Sequence, residues 1–225
     1  MTNQRALFID IDNTLIRGTS INLLVKYAYQ HGLIPLSFVP RATYWYFLYK
    51  INYIRDFTKI AEKTSSLLEG LMRKMPASEI QTIFKNCFDT AIRPLVFPDS
   101  HTFLNDFKNN GFDIHFISST FEPLACLLRD YYGFGQVIAT QLEIKDHHYT
   151  GSIAGNICYG SEKLRQIESI ATRDHLNLAE SYAFSDHISD IPMLEKVGHP
   201  VVVNPHGQLK KIARQRGWEI RKLSL

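Results

Sequence analysis

The stretch FIDIDNTL, residues 8–15, joins an apolar, strand-like segment directly to two acids, Asp10 and Asp12. Side chains alternate along a strand, so the two carboxylates point the same way if the extended geometry continues through Ile11. Two carboxylates in one place repel each other unless a cation or a shared proton offsets their charge. A simpler interpretation is that Asp12, Asn13 and Thr14 form only a turn and a helix cap.

Composition places this stretch in a globular chain of 225 residues, 45% hydrophobic and 21% charged, which is enough for one sizeable core and a smaller appendage. The sequence has no apolar run long enough for a membrane span and no secretory signal, so we expect a cytoplasmic protein. Three scattered cysteines fit a reducing compartment and are assigned no role. They are Cys87, Cys126 and Cys158.

The formal net charge is only +3, and part of the basic character lies near the C-terminus. We interpret that region as a solvated helix face rather than a nucleic-acid or membrane patch, and predict no nucleic-acid partner. The basic residues concerned are Lys210, Lys211, Arg214, Arg216, Arg221 and Lys222.

Short apolar runs alternate with helical patterns along most of the chain. The helical patterns follow Ser161 and Ser78, and Ser78 with Gln81 is predicted to form a capping box. Strands that alternate with helices indicate an α/β fold, with a parallel sheet covered by helices on both faces. The predicted strands are Ala6–Ile9, Asp113–Ile117, Gln136–Ala139, Tyr182–Phe184 and Pro200–Val203.

Residues 17–92 break this alternation, because they hold helix formers and aromatics but no convincing strand. We therefore predict a helical cap at 17–92, inserted into a core formed by 1–16 and 93–225. Its aromatic segment YWYFLYKINYI, residues 44–54, is interpreted as packing between cap helices. A substrate-facing apolar wall and an interfacial membrane contact are the alternatives.

Residues 142–155 have the pattern of a β-hairpin, with Asp146, His147 and His148 at its turn. Adjacent histidines suggest a metal site, but no cysteine or carboxylate cluster nearby completes a ligand set. We therefore interpret them as exposed turn residues.

Four predicted strands are followed by a polar residue, and the carboxyl ends of parallel strands meet at the ligand-binding edge of a sheet. These residues are Asp10, Ser118, Asp186 and Asn204. Asp190 follows Asp186 by four positions. Several carboxylates without cysteine or histidine favour Mg²⁺, which in turn favours a phosphate.

A phosphate at this edge would have further partners. Lys163 begins a predicted helix and supplies a positive charge, Ser118 offers a hydroxyl, and the N–H groups of Ser119 and Thr120 are predicted to lie at a helix start that favours anions. Taken singly, Lys163 has the pattern of a surface lysine and Asp190 that of a helix cap. Their joint order along the chain favours a functional site.

The ordered set resembles the haloacid dehalogenase superfamily of phosphohydrolases over residues 6–204. DIDNT resembles its first motif, FISS its second, Lys163 its third and SDHISD its fourth. Helices between the first two motifs, and the phrases CYGSEK and SDIPMLEKVGHPVVVNP, are similar to the phosphoserine phosphatase-like branch. The resemblance implies a Rossmann-like core with an inserted helical cap.

By this resemblance Asp10 is the nucleophile that forms an aspartyl-phosphate, and Asp12 donates and then accepts the proton. Mg²⁺ would be bound by Asp10, Asp186 and the backbone carbonyl of Asp12. Phosphate-binding and supporting roles fall to the remaining motif residues. Ser118, Ser119 and Lys163 would bind the phosphate, Asp190 would orient Lys163 or a metal-bound water, and Thr14 would support the loop.

The acid at position 12 favours a phosphatase acting on a small-molecule phosphomonoester. A phosphomutase or phosphotransferase, and a membrane- or partner-docking module that uses the aromatic segment, are the alternatives. The region RGTSIN has no acid where phosphoserine phosphatases contact the substrate's amino group, and Ser119-Thr120 and Ser189 also depart from that pattern. Phosphoserine, histidinol phosphate, a sugar phosphate and a lipid phosphate all stay open as substrates, and no oligomeric state is predicted.

Overall fold

The computed structural model describes residues 4–34 and 75–225. The aromatic segment 44–54, and with it the centre of the predicted cap, lies outside the described residues. Within the described ranges, no helix has the length and apolar character needed to cross a lipid bilayer.

One sheet of seven strands runs through the described part of the chain in the order β4-β3-β2-β1-β5-β6-β7. Every neighbouring pair is parallel except β3 and β4. The five predicted strands are confirmed, although β2 continues to Phe121, and β7 was not predicted. The strands are β1 Arg5–Ile9, β2 Phe112–Phe121, β3 Gln136–Lys145, β4 His148–Ala154, β5 Tyr182–Ser185, β6 His199–Val203 and β7 Glu219–Arg221.

Helices cover both faces of the sheet, as predicted. They are α1 Ser20–Gln30, α2 Ala77–Cys87, α3 Asp99–Asn109, α4 Glu122–Tyr132, α5 Ser161–Arg173, α6 Ile191–Lys196 and α7 Gly207–Arg216. Because side chains alternate along β1, Leu7 and Ile9 pack in the core under α1 to α4, whereas Ala6 and Phe8 pack in the core under α5 to α7. Such double burial requires the uninterrupted apolar run ALFI.

The predicted hairpin is confirmed as β3 and β4, joined by Asp146 and His147, whereas His148, predicted at the turn, is the first residue of β4 and pairs with Lys145. Both turn residues have positive φ, 48° and 62°, which a tight two-residue hairpin turn requires. The hairpin also contacts the start of α2, because the Ala77 N–H donates to the His147 carbonyl at 3.0 Å.

This contact explains why the predicted Ser78–Gln81 capping box is wrong. Helix α2 already begins at Ala77, after Pro76, and no side chain caps it. The N–H of Ala77 at the helix start donates to the His147 carbonyl instead of to a capping side chain. The side chain of Gln81 forms a hydrogen bond with Tyr149 of β4.

Two neighbouring segments carry the chain away from the sheet and back to it. The Arg17 N–H donates to the Leu95 carbonyl at 2.7 Å, and the Phe97 N–H donates to the Leu15 carbonyl at 2.9 Å. An inserted segment needs such closely spaced ends, and we propose on this basis that residues 17–92 form the helical cap, whose helices α1 and α2 share a core with Leu7 and Ile9.

The position of β1 determines where a ligand can bind. After β1 the chain builds β2, β3 and β4 on one side and then β5, β6 and β7 on the other. The reversal leaves a crevice beyond the carboxyl end of β1, between β2 and β5, where open α/β sheets bind ligands. Asp10 directly follows β1 at this point.

Candidate active site

Asp10 lies at the floor of the crevice with its carboxylate buried. Its N–H donates to the Phe184 carbonyl at 2.9 Å, which continues the β1–β5 pairing by one residue. Oδ1 accepts a hydrogen bond from the Lys163 ammonium at 2.6 Å, and the Thr14 hydroxyl lies 3.5 Å from Oδ2. Oδ2 therefore remains the less engaged oxygen of this carboxylate.

Lys163 comes from the first turn of α5 and is only 3% exposed, which excludes the surface-lysine interpretation. Its ammonium contacts Asp190 Oδ2 at 2.7 Å as well as Asp10. Burial alone would lower the pKa of Lys163, but the two carboxylates outweigh burial and raise the pKa above its ordinary value. The ammonium is therefore a permanent charge between two acids.

Asp190 stands at the start of α6, yet its side chain makes no cap hydrogen bond with that helix. The carboxylate instead accepts from the Ser185 hydroxyl at 2.7 Å and from the Ser189 hydroxyl at 3.2 Å, in addition to Lys163. Of the two predicted roles for Asp190, orientation of Lys163 is the one that this geometry supports.

Sequence reasoning missed Ser185, which is the buried last residue of β5. Its hydroxyl donates to the oxygen of Asp190 that also binds Lys163, and it accepts from the His187 N–H at 3.2 Å. The available signal was its place at the end of a strand, directly before the acid pair of SDHISD.

Asp12 and Asp186 complete the acidic lining. The Ser20 N–H donates to Asp12 Oδ1 at 2.8 Å. Burial raises the pKa of Asp12, although the hydrogen bonds from Ser20 oppose the rise. Burial, followed by repulsion from Asp190, raises the pKa of Asp186 to about 7.

Burial also raises the pKa of Asp10 well above its ordinary value. Lys163 opposes this rise, while the negative charges of Asp190, Asp186 and Asp12 add to it. Four carboxylates thus lie within a single small volume, and within residues 4–34 and 75–225 the Lys163 ammonium is the buried cation that faces them.

That excess of negative charge fits a divalent, oxygen-preferring cation such as Mg²⁺. Among the described residues, no group of three histidine, cysteine, aspartate or glutamate side chains has the arrangement of a metal site. The predicted set needs only two carboxylates, those of Asp10 and Asp186, together with the main-chain carbonyl of Asp12. The donor types present therefore suit Mg²⁺, which typically keeps several waters of its own.

Ser118 is fully buried on β2, where its hydroxyl oxygen accepts from the Thr120 N–H at 3.2 Å. A hydroxyl that accepts in this way keeps its own hydrogen to donate to a phosphate oxygen. The Ser119 carbonyl accepts from the Thr140 hydroxyl of β3 at 2.9 Å.

The prediction that Ser119 and Thr120 lie at a helix start is wrong. Both belong to β2, and α4 begins only at Glu122. The β2–β3 pairing shifts register between Ser118 and Phe121, which prolongs the strand past the expected end. The Thr120 N–H is consequently used by Ser118 instead of being presented to an anion.

Asn204 does not join the site, although it follows β6 as predicted. Its side-chain amide donates to the Leu223 carbonyl and accepts from the Leu223 N–H, both at 3.0 Å. This residue therefore ties down the segment after β7.

Comparison with known proteins matches residues 7–195 to the model of the haloacid dehalogenase-like hydrolase family. Two relatives from Mycobacterium tuberculosis, probable phosphatase Rv3661 and phosphoserine phosphatase SerB1, are each 29% identical and match 97% and 96% of this chain. The matches cover 75% and 70% of those two proteins. Histidinol-phosphatase of Neisseria meningitidis is 25% identical over 94% of this chain and 95% of its own.

Solved structures share the fold. A protein of unknown function from Bordetella pertussis superimposes with a TM-score of 0.84 at 23% identity, covering 97% of this chain and 98% of its own. A phospho-aspartyl intermediate analogue of phosphoserine phosphatase superimposes with a TM-score of 0.69 at 19% identity, covering 97% and 93%. The predicted α/β fold and its resemblance to the phosphoserine phosphatase-like branch are confirmed.

Proposed function

The chain belongs to the haloacid dehalogenase-like hydrolases, and from this premise we propose that it is a Mg²⁺-dependent phosphatase that hydrolyses a small phosphate monoester through an aspartyl-phosphate. The observation that carries the proposal is the buried Asp10–Lys163–Asp190 arrangement, with a second acid, Asp12, two residues from Asp10.

In the first half-reaction, an oxygen of Asp10 attacks phosphorus and the bond between phosphorus and the alcohol oxygen breaks. The electron pair of that bond stays on the alcohol oxygen, which takes the proton of the Asp12 carboxyl. The alcohol leaves, Asp10 is phosphorylated, and Asp12 is left as a carboxylate. The raised pKa of Asp12 suits this donor role, because burial favours its protonated form.

In the second half-reaction, a water oxygen attacks phosphorus while Asp12 takes one of its protons. The bond between phosphorus and the Asp10 oxygen breaks, and its electron pair restores the Asp10 carboxylate. Phosphate leaves, and Asp12 is again protonated. Both residues therefore return to their starting states.

The remaining residues bind and orient the phosphoryl group. Lys163 and the Ser118 hydroxyl donate to its oxygens, Ser119 lines the same strand end, and Asp190 with Ser185 keeps the lysine ammonium in place. Thr14 supports the Asp10 carboxylate. Mg²⁺ held by Asp10, Asp186 and the Asp12 carbonyl would neutralise phosphoryl charge and let a carboxylate approach a phosphate.

The substrate class rests on the region that follows Asp12. The first turn of α1 carries no acid, and the corresponding positions hold Thr19 and Ser20. An ammonium-bearing substrate has no counter-charge there, so we favour a phosphorylated alcohol without an amino group beside the phosphate. Phosphoserine and histidinol phosphate, for which two relatives are named, both carry such an amino group and serve as the comparison substrates against amine-free alkyl phosphates.

The test is hydrolysis of an aryl phosphate in the presence of Mg²⁺, comparing wild type with Asp10→Asn. We expect the substitution to abolish turnover and the acid-stable phosphoenzyme while leaving the fold intact by circular dichroism. Asp113→Asn, at the opposite end of β2, serves as the control and should keep full activity. Hydrolysis that survives Asp10→Asn would remove the aspartyl-phosphate mechanism.

A panel of phosphorylated metabolites then identifies the substrate class. Transfer of phosphate to a second alcohol in that panel would favour the mutase or transferase alternative. Co-sedimentation with anionic vesicles tests the docking alternative, which fails if the protein stays in the supernatant at physiological salt.

A further inference from the structure

Ser20 links the second acid of the site to the first helix of the proposed cap. It is the first residue of α1 and is buried. Its N–H donates to Asp12 Oδ1 at 2.8 Å, and its hydroxyl donates to Thr120 Oγ1 at 2.6 Å. A single residue thus joins an acid after β1, the start of a helix and the end of β2.

The path continues into the core. The N–H of Thr120 donates to the hydroxyl oxygen of Ser118, so three consecutive hydrogen bonds connect Asp12 with Ser118 across the crevice. Ser20, Thr120 and Ser118 are each at most 2% exposed. Buried hydrogen bonds of this kind hold their partners in one geometry, because no water replaces them when they break.

Asp12 needs such support, since the local backbone does not supply it. Strand β1 ends at Ile9, and the chain then winds tightly, with the N–H groups of Thr14, Leu15 and Ile16 all directed at the Ile11 carbonyl. Asn13 has a φ of 56° within this turn. The Asp12 side chain therefore extends from a turn, and its direction depends on what it contacts.

We propose that Ser20 is a positioning residue that aims Asp12 at the leaving-group oxygen, so that proton transfer requires the first turn of α1 to be docked on the end of β2. The inference rests on the proposed function, because it takes Asp12 as the proton donor. Ser20 engages Oδ1, which leaves Oδ2 to carry the proton. When the phosphorus–oxygen bond breaks, the electron pair goes to the alcohol oxygen, the Oδ2 proton follows it, and the Ser20 N–H stabilises the resulting carboxylate.

Four substitutions separate the parts of this link. Ser20→Pro removes both the N–H and the hydroxyl at a helix position that favours proline, and the extended backbone of Thr19 (φ −108°, ψ 128°) is what a following proline requires. Ser20→Ala and Thr120→Val keep the N–H and remove one hydroxyl each. Thr120→Ser restores the hydroxyl at position 120.

The readout is kcat/KM on two substrates that differ in their need for a proton. The alcohol of an alkyl phosphate leaves as a strongly basic alkoxide unless its oxygen is protonated. The 2,4-dinitrophenolate of the second substrate is a weak base and leaves without a proton. Because kcat/KM covers the steps up to alcohol departure, it excludes the hydrolysis of the phosphoenzyme, in which Asp12 serves every substrate alike.

We expect Ser20→Pro to lower kcat/KM for the alkyl phosphate about 100-fold, which is the lower range of general acid catalysis. The same substitution should lower kcat/KM for the dinitrophenyl ester less than about 3-fold. Ser20→Ala and Thr120→Val should show the same selectivity at roughly one tenth of that size, and Thr120→Ser should recover most of the loss. Thr172→Val, which removes an exposed helix hydroxyl bonded to Glu168, is the control and should change neither value.

Equal losses on both substrates would overturn the inference, because a merely structural role affects the two alike. Wild-type activity on both substrates without any selective loss in Ser20→Ala and Thr120→Val would overturn it too, even if Ser20→Pro fails to fold. A wild type that hydrolyses neither ester with Mg²⁺ would instead overturn the proposed function, and this inference with it.

Discussion

Replacing Lys163 with methionine tests how strongly the site depends on the buried ammonium of this residue. Lys163 contacts Asp10 at 2.6 Å and Asp190 at 2.7 Å, and all three side chains are less than 10% exposed. Methionine fills much of the same volume but leaves two buried carboxylates without their cation. Removal of one partner from a buried ion pair typically costs about 3–5 kcal/mol, and we expect a loss of that size in the free energy of unfolding at neutral pH.

The assay is guanidinium unfolding in EDTA, followed by circular dichroism. Lys196→Met is the matched control, because its ion pair with Glu168 is solvent-exposed and should contribute less than about 1 kcal/mol. Since protonated carboxyls need no counter-charge, the loss in Lys163→Met should shrink as the pH falls. The lysine pKa is raised in the folded state, so its own stabilisation persists throughout the neutral range.

A second substitution checks the cause. Asp190→Asn in the Lys163→Met background should recover part of the lost stability, because it removes one of the two uncompensated charges. Equal losses in Lys163→Met and Lys196→Met, or a double variant less stable than the single one, would refute the electrostatic reasoning.

Three further outcomes are expected. The pKa of Asp186 is raised from 3.8 to about 7, so in EDTA the free energy of unfolding should fall as the pH rises through this interval. Asp186→Asn should make the slope shallower, leaving the part that comes from Asp10 and Asp12, and Mg²⁺ should raise the melting temperature of the wild type at neutral pH but not of the variant. His115 is buried against Phe8, and neither of its ring nitrogens has a hydrogen-bond partner in the part of the chain that the structure describes. Burial lowers its pKa below 6.5, so stability should decline as the pH drops below that value, and urea titrations at several pH values should show a flatter decline in His115→Leu. A Cβ at Gly198 would lie 1.7 Å from the Ala179 carbonyl oxygen, so Gly198→Ala should lower the free energy of unfolding by about 3 kcal/mol or more. The control is Gly111→Ala, where positive φ is the only obstacle and the expected loss is about 1 kcal/mol; thermal or chemical unfolding measures both.

The sheet and the acidic cluster were predictable because their signals are local. The strand ALFI and the acid that follows it occupy adjacent positions, and the parallel-sheet rule brings Asp10 and Asp186 to the same edge whatever the details of packing. Lys163 could be placed in a first helical turn from its surroundings, although its burial between two carboxylates could not be read from sequence.

The errors arise where distant segments decide the local structure. The β2–β3 register shift prolongs β2 through Ser119 and Thr120, and the contact with His147 moves the start of α2 away from Ser78. Strand β7 is too short to show a period, and it forms because β6 offers it a free edge. Ser20 acquires its partners only when α1 and β2 pack together, since Thr120 lies 100 residues further along the chain.

The backbone bonds from Arg17 to Leu95 and from Phe97 to Leu15 place both ends of the intervening chain side by side. Because the two ends of the segment lie side by side, the distance between its attachment points does not depend on its length. The length of the segment can therefore vary while the sheet keeps its register. Residues 18–94 are therefore a candidate cassette for engineering. Another recognition module with equally close ends can be grafted at this junction, provided that its first turn supplies the contact that Ser20 makes with Asp12 and that its helices replace the buried side chains that α1 and α2 contribute to the core.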